Sequence, residues 1–274
     1  MNDKRSIEAA FAKANVPLEI TERSINRRLI NGGGGQIVQM GIVSDRRGNE
    51  IIQMNIPEGE DIDVRALGAD PEHQQVVMMV NEPDRKITEQ RWNSGTKRFE
   101  NATIKVPGGK RRFLVGMDEC HLFIAQMPNT AGATSVKQAH EDLRPRGVPK
   151  GRKAKKQKIR RTGEWFLTPA TSQEIKEIES HIKVYGVRKK VGIGSHLGRM
   201  RGRPHVVSES VVVGFRTQTE GPTNGRHRLV VSRSGTEFVR GRILHPDHKV
   251  VDVKVWSRVT MNSENRATGA QWVD

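Results

Sequence analysis

One stretch of the chain decides how its carboxyl-terminal half folds: EFVRGRILHPDHKVV, residues 237–251. Residues 237–244 and 250–261 are rich in valine or alternate apolar with polar side chains, which predicts two β-strands. Pro246 and Asp247 lie between them. Proline fixes its own backbone angle and aspartate accepts hydrogen bonds from nearby amides, so this pair is typical of a tight turn. The stretch therefore predicts a β-hairpin.

The residues before this hairpin predict more strands and one helix. Residues 205–215 and 228–232 have the valine content or the alternation of strands. Thr171 is followed three residues later by Glu174, a pairing typical of a capping box, and it predicts a helix over residues 172–183. We therefore expect the carboxyl-terminal unit to be β-rich, with one clear helix.

The amino-terminal half mixes helices and strands. Residues 6–14 carry apolar side chains at helical spacing. A second helix is predicted over residues 22–30, and the glycine run at residues 32–35 is interpreted as a linker. A hairpin is predicted from residues 37–43 and 50–56. Further strands are predicted at residues 75–80, 99–106, 112–117 and 121–126, and Ser135 is expected to cap a helix that ends at Leu143.

These patterns predict an α+β fold, made of mostly antiparallel β-sheets with a few short helices. Two units joined by a basic linker are expected. The predicted limits are an amino-terminal α+β domain over residues 1–143, the linker over residues 144–162, and a carboxyl-terminal β-rich domain with one helix over residues 163–274.

Composition limits the compartments and the cofactors that we expect for this protein. The sequence has no apolar run of transmembrane length and does not begin like a secretory signal peptide, so we expect no membrane partner. Its one cysteine, Cys120, cannot form an intramolecular disulfide or a thiolate zinc cage. The chain is therefore expected in the cytoplasm, and no cofactor is predicted, although a divalent metal held by histidine and carboxylate ligands is possible.

The formal net charge of +16 is confined to two segments, residues 144–162 and 186–203. Neither segment contains an acidic residue, and the rest of the chain is formally neutral. The first segment carries ten basic residues: Arg144, Arg146, Lys150, Arg152, Lys153, Lys155, Lys156, Lys158, Arg160 and Arg161. The second carries six: Arg188, Lys189, Lys190, Arg199, Arg201 and Arg203.

Two local cationic segments on a balanced chain favour a polyanion that lies along particular surfaces. We therefore predict a protein that binds nucleic acid through its phosphate backbone. The spaced arginines and glycines of residues 199–203 slightly favour structured RNA over DNA. Two other interpretations of the charge stay open. The first segment could be only a solvated linker, or the segments could be basic arms of a structural subunit in a nucleoprotein or capsid assembly.

The histidines beside the predicted turn suggest a second class of function. His245 and His248 lie three residues apart around Asp247, and His205 is placed near them at the end of a neighbouring strand. Two or three imidazoles with a carboxylate could hold a divalent metal that activates water, or a histidine could act as general acid or base in RNA cleavage. A nuclease is therefore the alternative to a non-catalytic binder. Pro246 and Asp247 are equally explained as turn residues alone.

Three stretches resemble those of an uncharacterised family of bacterial and mobile-element proteins. They are RTGEWF at residues 161–166, RPHV at residues 203–206 and VRGRILHPDHK at residues 239–249. The resemblance covers roughly residues 111–262. It implies a prokaryotic or phage-like setting, and it carries no function and no site residues.

Overall fold

The computed structural model describes residues 4–22, 37–57, 61–195, 204–214, 218–219, 229–230 and 235–263. Strands account for 51% of the structure and its helices are short, so the predicted α+β class with mostly antiparallel sheets is confirmed. The longest helix has 14 residues, and no helix in the described ranges is long and apolar enough to cross a membrane.

The contacts divide the chain into two compact units. Unit 1 comprises Met1–Leu143 with the segment that starts at Ser263, and unit 2 comprises Arg144–Asn262. Unit 1 has helices α1 (Lys4–Lys13) and α2 (Val136–Asp142). Its strands are β1 (Leu18–Thr21), β2 (Gln39–Ser44), β3 (Glu50–Asn55), β4 (Asp63–Asp70), β5 (Gln75–Glu82), β6 (Arg85–Asn93), β7 (Arg98–Val106), β8 (Gly109–Asp118) and β9 (His121–Gln126).

Strand β5 is the buried centre of unit 1. It lies between β4 and β8 in the four-stranded sheet β4-β5-β8-β9. Alternate side chains of a strand point to opposite faces of its sheet. Val76 and Met78 join one core cluster with α1, whereas Val77 joins a second cluster with α2. A continuous apolar run is what a strand covered on both faces requires.

Two smaller sheets complete the strands of unit 1. The three-stranded sheet β1-β3-β2 contains the predicted hairpin of β2 and β3. Its turn is held by Asp45, whose Oδ1 atom accepts hydrogen bonds from the amides of Arg47 and Asn49. The other sheet is the two-stranded hairpin of β6 and β7, which pairs with no third strand within the described ranges.

Unit 2 has helices α3 (Gly151–Lys156) and α4 (Ser172–Tyr185). Its strands are β10 (Arg160–Thr162), β11 (Trp165–Pro169), β12 (Arg188–Gly192), β13 (Val206–Val213), β14 (Gln218–Thr219), β15 (Leu229–Val230), β16 (Thr236–His245) and β17 (His248–Met261). Six of the strands form one sheet in the order β10-β11-β17-β16-β13-β12, and β14 pairs with β15. All pairs in the six-stranded sheet are antiparallel.

The predicted hairpin of β16 and β17 forms the middle of this sheet. His245 pairs with His248 across the two-residue turn of Pro246 and Asp247. The register shifts twice along the hairpin, and such bulges bend the strands that carry them. One shift lies at Gly241, whose φ of +94° and close approach to Ser208 exclude a side chain. The turn between β10 and β11 lies near the start of β17: Gly163 approaches His248, and the Arg160 guanidinium donates to the Asp252 carbonyl at 2.7 Å.

Helix α4 packs on the other core cluster of unit 2. Its capping box forms as predicted, with the Glu174 amide donating to Thr171 Oγ1 and the Thr171 amide donating to the Glu174 carboxylate. Ile178 is fully buried against Phe238 and Trp256 of the sheet. The same helix exposes Val184 to solvent.

The structure differs from the sequence predictions in several polar segments. Residues 144–162, predicted as a linker, contain α3 and β10, and β10 pairs with β11. The sequence did not predict seven of the strands: β1, β4, β6, β10, β11, β12 and β14. Strand β6 reads RKITEQRWN and β12 reads RKKVG, and neither has the alternation that marks a half-buried strand. The predicted helix at residues 22–30 and the glycine run at residues 32–35 fall on a stretch that is almost wholly outside the described residues.

The packing of α4 gives a test of this core. Replacing Ile178 with alanine should lower the free energy of unfolding by about 2–5 kcal/mol, because it removes a fully buried side chain whose space the sheet cannot refill. The matched change Val184→Ala, on the exposed face of the same helix, should alter it by less than about 0.5 kcal/mol. Urea unfolding followed by tryptophan fluorescence measures both. Equal effects of the two changes would contradict the packing described here.

Candidate histidine cluster and nucleic-acid interface

Three strands of unit 2 bring His205, His245 and His248 together. The β16–β17 turn places His245 and His248 opposite each other at the ends of their strands. His205 directly precedes β13, whose Val206 pairs with Leu244 on β16. The proximity of His205 therefore follows from the register between β13 and β16. We call these three residues the histidine cluster.

The three imidazole rings are in contact. The ring centroids are 4.3 Å apart for His205 and His245, 5.0 Å for His205 and His248, and 4.6 Å for His245 and His248. One nitrogen from each ring lies within 4.8 Å of the other two. Three imidazole nitrogens at this spacing are a donor set suited to a divalent transition metal.

His205 is the most buried member of the cluster. Only 4% of its surface is exposed, and its Nε2 atom has no hydrogen-bond partner among the described residues. Burial, followed by the proximity of His245 and His248, lowers the pKa of His205 to about 3. His205 is therefore neutral at neutral pH, because its charged form would lose hydration and face two further imidazoles.

Gly163 lies against two of the rings. It occupies the turn between β10 and β11 with a φ of +51°, a backbone conformation that favours glycine. An added Cβ atom would lie 2.9 Å from Cε1 of His205 and 3.2 Å from the Nε2 atoms of both His205 and His248. The absence of a side chain at this position keeps the space beside the two nitrogens open.

Asp247, the fourth residue that the sequence suggested for this site, lies at the edge of the cluster. Its amide donates a hydrogen bond to Nδ1 of His245 at 3.2 Å, which is the role expected of a turn residue. Its carboxylate lies 3.9 Å from the same nitrogen. Asp247 is thus placed to orient His245, while the converging atoms come from the three histidines.

Most of the predicted basic residues that the structure describes are exposed. Arg144 differs, because it donates to the Pro149 carbonyl at 2.6 Å and its guanidinium lies 5.5 Å from the centre of the Phe166 ring. The exposed ones are Arg146, Lys150, Arg152, Lys153, Lys155, Lys156, Lys158, Arg160, Arg161, Arg188, Lys189 and Lys190. Arg199, Arg201 and Arg203 lie outside the described residues.

The two basic segments meet the same sheet at its opposite edges. The first segment contains α3 and edge strand β10, and the second contains edge strand β12. In α3 only Ala154 is buried, so the helix points its four cationic side chains to solvent. Among the described residues, no carboxylate forms an ion pair with Arg152, Lys153 or Lys156. Each basic segment therefore contributes one of the two edge strands of the six-stranded sheet.

An exposed aromatic pair in unit 1 was not singled out from the sequence. Trp92 on β6 and Phe99 on β7 are 56% and 65% exposed. Their rings make an edge-to-face contact with centroids 5.3 Å apart. Residues 85–106, which form this hairpin, contain six lysines or arginines and two glutamates, a net charge of +4. The sequence does show two aromatic residues on either side of the short polar turn NSGTK. The positive charge of the hairpin is not evident from the composition, because acidic residues elsewhere in the chain balance it.

Comparisons of the chain with protein-family models, with curated proteins and with solved structures found no match.

The low pKa of His205 predicts how the free energy of unfolding changes with pH. The folded state holds this imidazole neutral down to about pH 3, whereas the unfolded chain protonates it near its ordinary value of 6.5. Between these values the unfolded state binds more protons, so stability falls as the pH is lowered, by on the order of 1 kcal/mol per pH unit.

Replacing His205 with glutamine should make this dependence shallower. Urea unfolding of the wild type and His205→Gln, measured from about pH 7 down to about pH 4, isolates the contribution of this one residue. The same slope in both proteins would show that His205 is not held neutral.

Proposed function

We propose that this protein binds nucleic acid through the phosphate backbone, using the two basic segments of unit 2, with structured RNA favoured over DNA. The observation that carries the proposal is the position of the exposed cations at both edges of one six-stranded sheet. Phosphate contacts need exposed Lys and Arg side chains on a supporting scaffold, and each contact releases condensed counterions.

The distribution of charge distinguishes this proposal from a general role in solubility. Helix α3 holds Arg152, Lys153, Lys155 and Lys156 within six residues, and its one buried side chain, Ala154, fixes which face meets solvent. Strand β12 adds Arg188, Lys189 and Lys190 at the other margin. Like charges held this close repel one another, and a bound polyanion relieves that repulsion.

The hairpin of β6 and β7, in unit 1, carries a different kind of surface. Phosphate contacts alone carry no preference for unpaired bases, whereas an exposed aromatic face stacks on them. Trp92 and Phe99 present such a face on a hairpin whose own net charge is +4. We propose that this aromatic pair itself stacks on unpaired bases of a nucleic acid, in a loop, at an end or at an opened base step.

The same proposal places the protein in the cytoplasm. Cys120 is exposed and is the one cysteine of the chain, which suits a reducing compartment. The nucleic acids of a prokaryotic or phage-like setting are found there.

Neutralising α3 tests the phosphate contacts. The fourfold change of Arg152, Lys153, Lys155 and Lys156 to glutamine should reduce the slope of log affinity against log salt by about 3, because four counterion-releasing contacts are lost. Fluorescence anisotropy with a labelled RNA hairpin and a DNA duplex, from about 50 to about 200 mM salt, measures the slope.

A matched control removes four positive charges elsewhere in unit 2. The exposed residues Lys176, Lys183, Arg242 and Lys254 lie outside both basic segments. Their fourfold change to glutamine should leave most of the slope in place. If both fourfold variants weaken binding equally, the total charge and not the segments governs affinity. No binding by the wild type at low salt would rule out the proposed function.

The aromatic pair predicts a different signature. Replacing Trp92 with alanine should weaken binding about tenfold or more, since one stacked base is worth about 1–3 kcal/mol, while the salt slope stays unchanged. Trp92→Phe keeps an aromatic face and should retain most of the affinity. The same anisotropy titrations measure both variants. Unchanged affinity in Trp92→Ala would remove the hairpin from the interface.

A further inference from the structure

We propose that His205, His245 and His248 form a binding site for one divalent transition-metal ion of the zinc class, coordinated through one imidazole nitrogen from each residue. Three protein ligands leave a fourth position of a tetrahedral site for water or another small ligand. This site is independent of the proposed function, because none of its residues belongs to the basic segments.

The spacing of the three imidazole nitrogens is close to that of a tetrahedral zinc site. Zinc–nitrogen bonds of about 2.0–2.1 Å in tetrahedral geometry require ligand nitrogens about 3.3 Å apart. The three nitrogens already lie within 4.8 Å of one another, so small rotations of the side chains bring them to that distance. The backbone beneath them is fixed, because a two-residue turn and paired strands hold His245 and His248 opposite each other.

His205 contributes a buried nitrogen whose hydrogen-bonding capacity is not used by any described residue. Its Nε2 atom is buried and has no hydrogen-bond partner among the described residues. Buried polar atoms without a partner are rare in folded proteins, and each one calls for an explanation. A metal ion accepts the lone pair of this nitrogen and so supplies the missing partner.

Space at the cluster suits a single ion. The Gly163 turn closes over the Nε2 atoms of His205 and His248 without placing a side chain beside them.

The experiment uses the full chain without an affinity tag, freed of metal with a chelator. Zn²⁺ is titrated by calorimetry, and Co²⁺ is titrated by absorption spectroscopy because its visible spectrum reports coordination geometry. We expect one ion per chain. His205→Ala, His245→Ala and His248→Ala should each lower Zn²⁺ affinity at least about a hundredfold, because each change removes one of three ligands.

A matched control is His181→Ala, the same change on α4 of the same unit. It should bind Zn²⁺ like the wild type. Gly163→Ala should weaken binding, because its methyl group would crowd the two Nε2 atoms. Equal Zn²⁺ affinity in the wild type and His205→Ala, or no binding by folded wild type, would overturn the proposal.

A measurement on the wild type alone covers the case of variants that fail to fold. The chain has nine histidines, and their imidazole nitrogens can be followed by NMR as Zn²⁺ is added. Perturbation of His205, His245 and His248 with the other six unchanged supports the site. Perturbation spread over exposed histidines, with these three unchanged, refutes it.

Discussion

The pairing of β16 with β17 is the interaction on which unit 2 depends. These strands occupy the middle of the six-stranded sheet, where β16 also pairs with β13 and β17 also pairs with β11. Their side chains contribute to both core clusters of the unit. The β10–β11 turn lies beside the closed end of this hairpin, where Gly163 approaches His248. The six-stranded sheet, both core clusters and the histidine cluster therefore all depend on the pairing of β16 with β17.

Burial and exposure divide the polar groups of unit 2 into two kinds. At the closed end of the hairpin, His205 is held neutral by burial and by the proximity of His245 and His248. The lysines and arginines at the sheet margins are exposed to water. The same unit thus presents imidazole nitrogens, which we propose bind a metal ion, and exposed cations, which we propose bind a polyanion. Solvation accounts for this difference. Burial disfavours the charged form of an imidazole, whereas water stabilises exposed cations.

The sequence determined those features whose physical cause is local. Three successful predictions, the β16–β17 hairpin, the capping box of α4 and the strand β5, each depend on residues within a few positions of one another. The location of the excess charge needs no structure at all. His245 and His248 were also readable as a pair, because a two-residue turn must place the residues on either side of it opposite each other.

Tertiary structure decided what depends on residues far apart in the chain. Edge strands β6 and β12 carry mostly polar residues, so partner strands and not alternation define them. The placement of the basic segments at opposite edges follows from the strand order. The contact of Gly163 with His205 and His248 joins residues more than 40 positions apart in the chain. The sequence carries no local signal for such contacts, because long-range register is set by the packing of the whole unit.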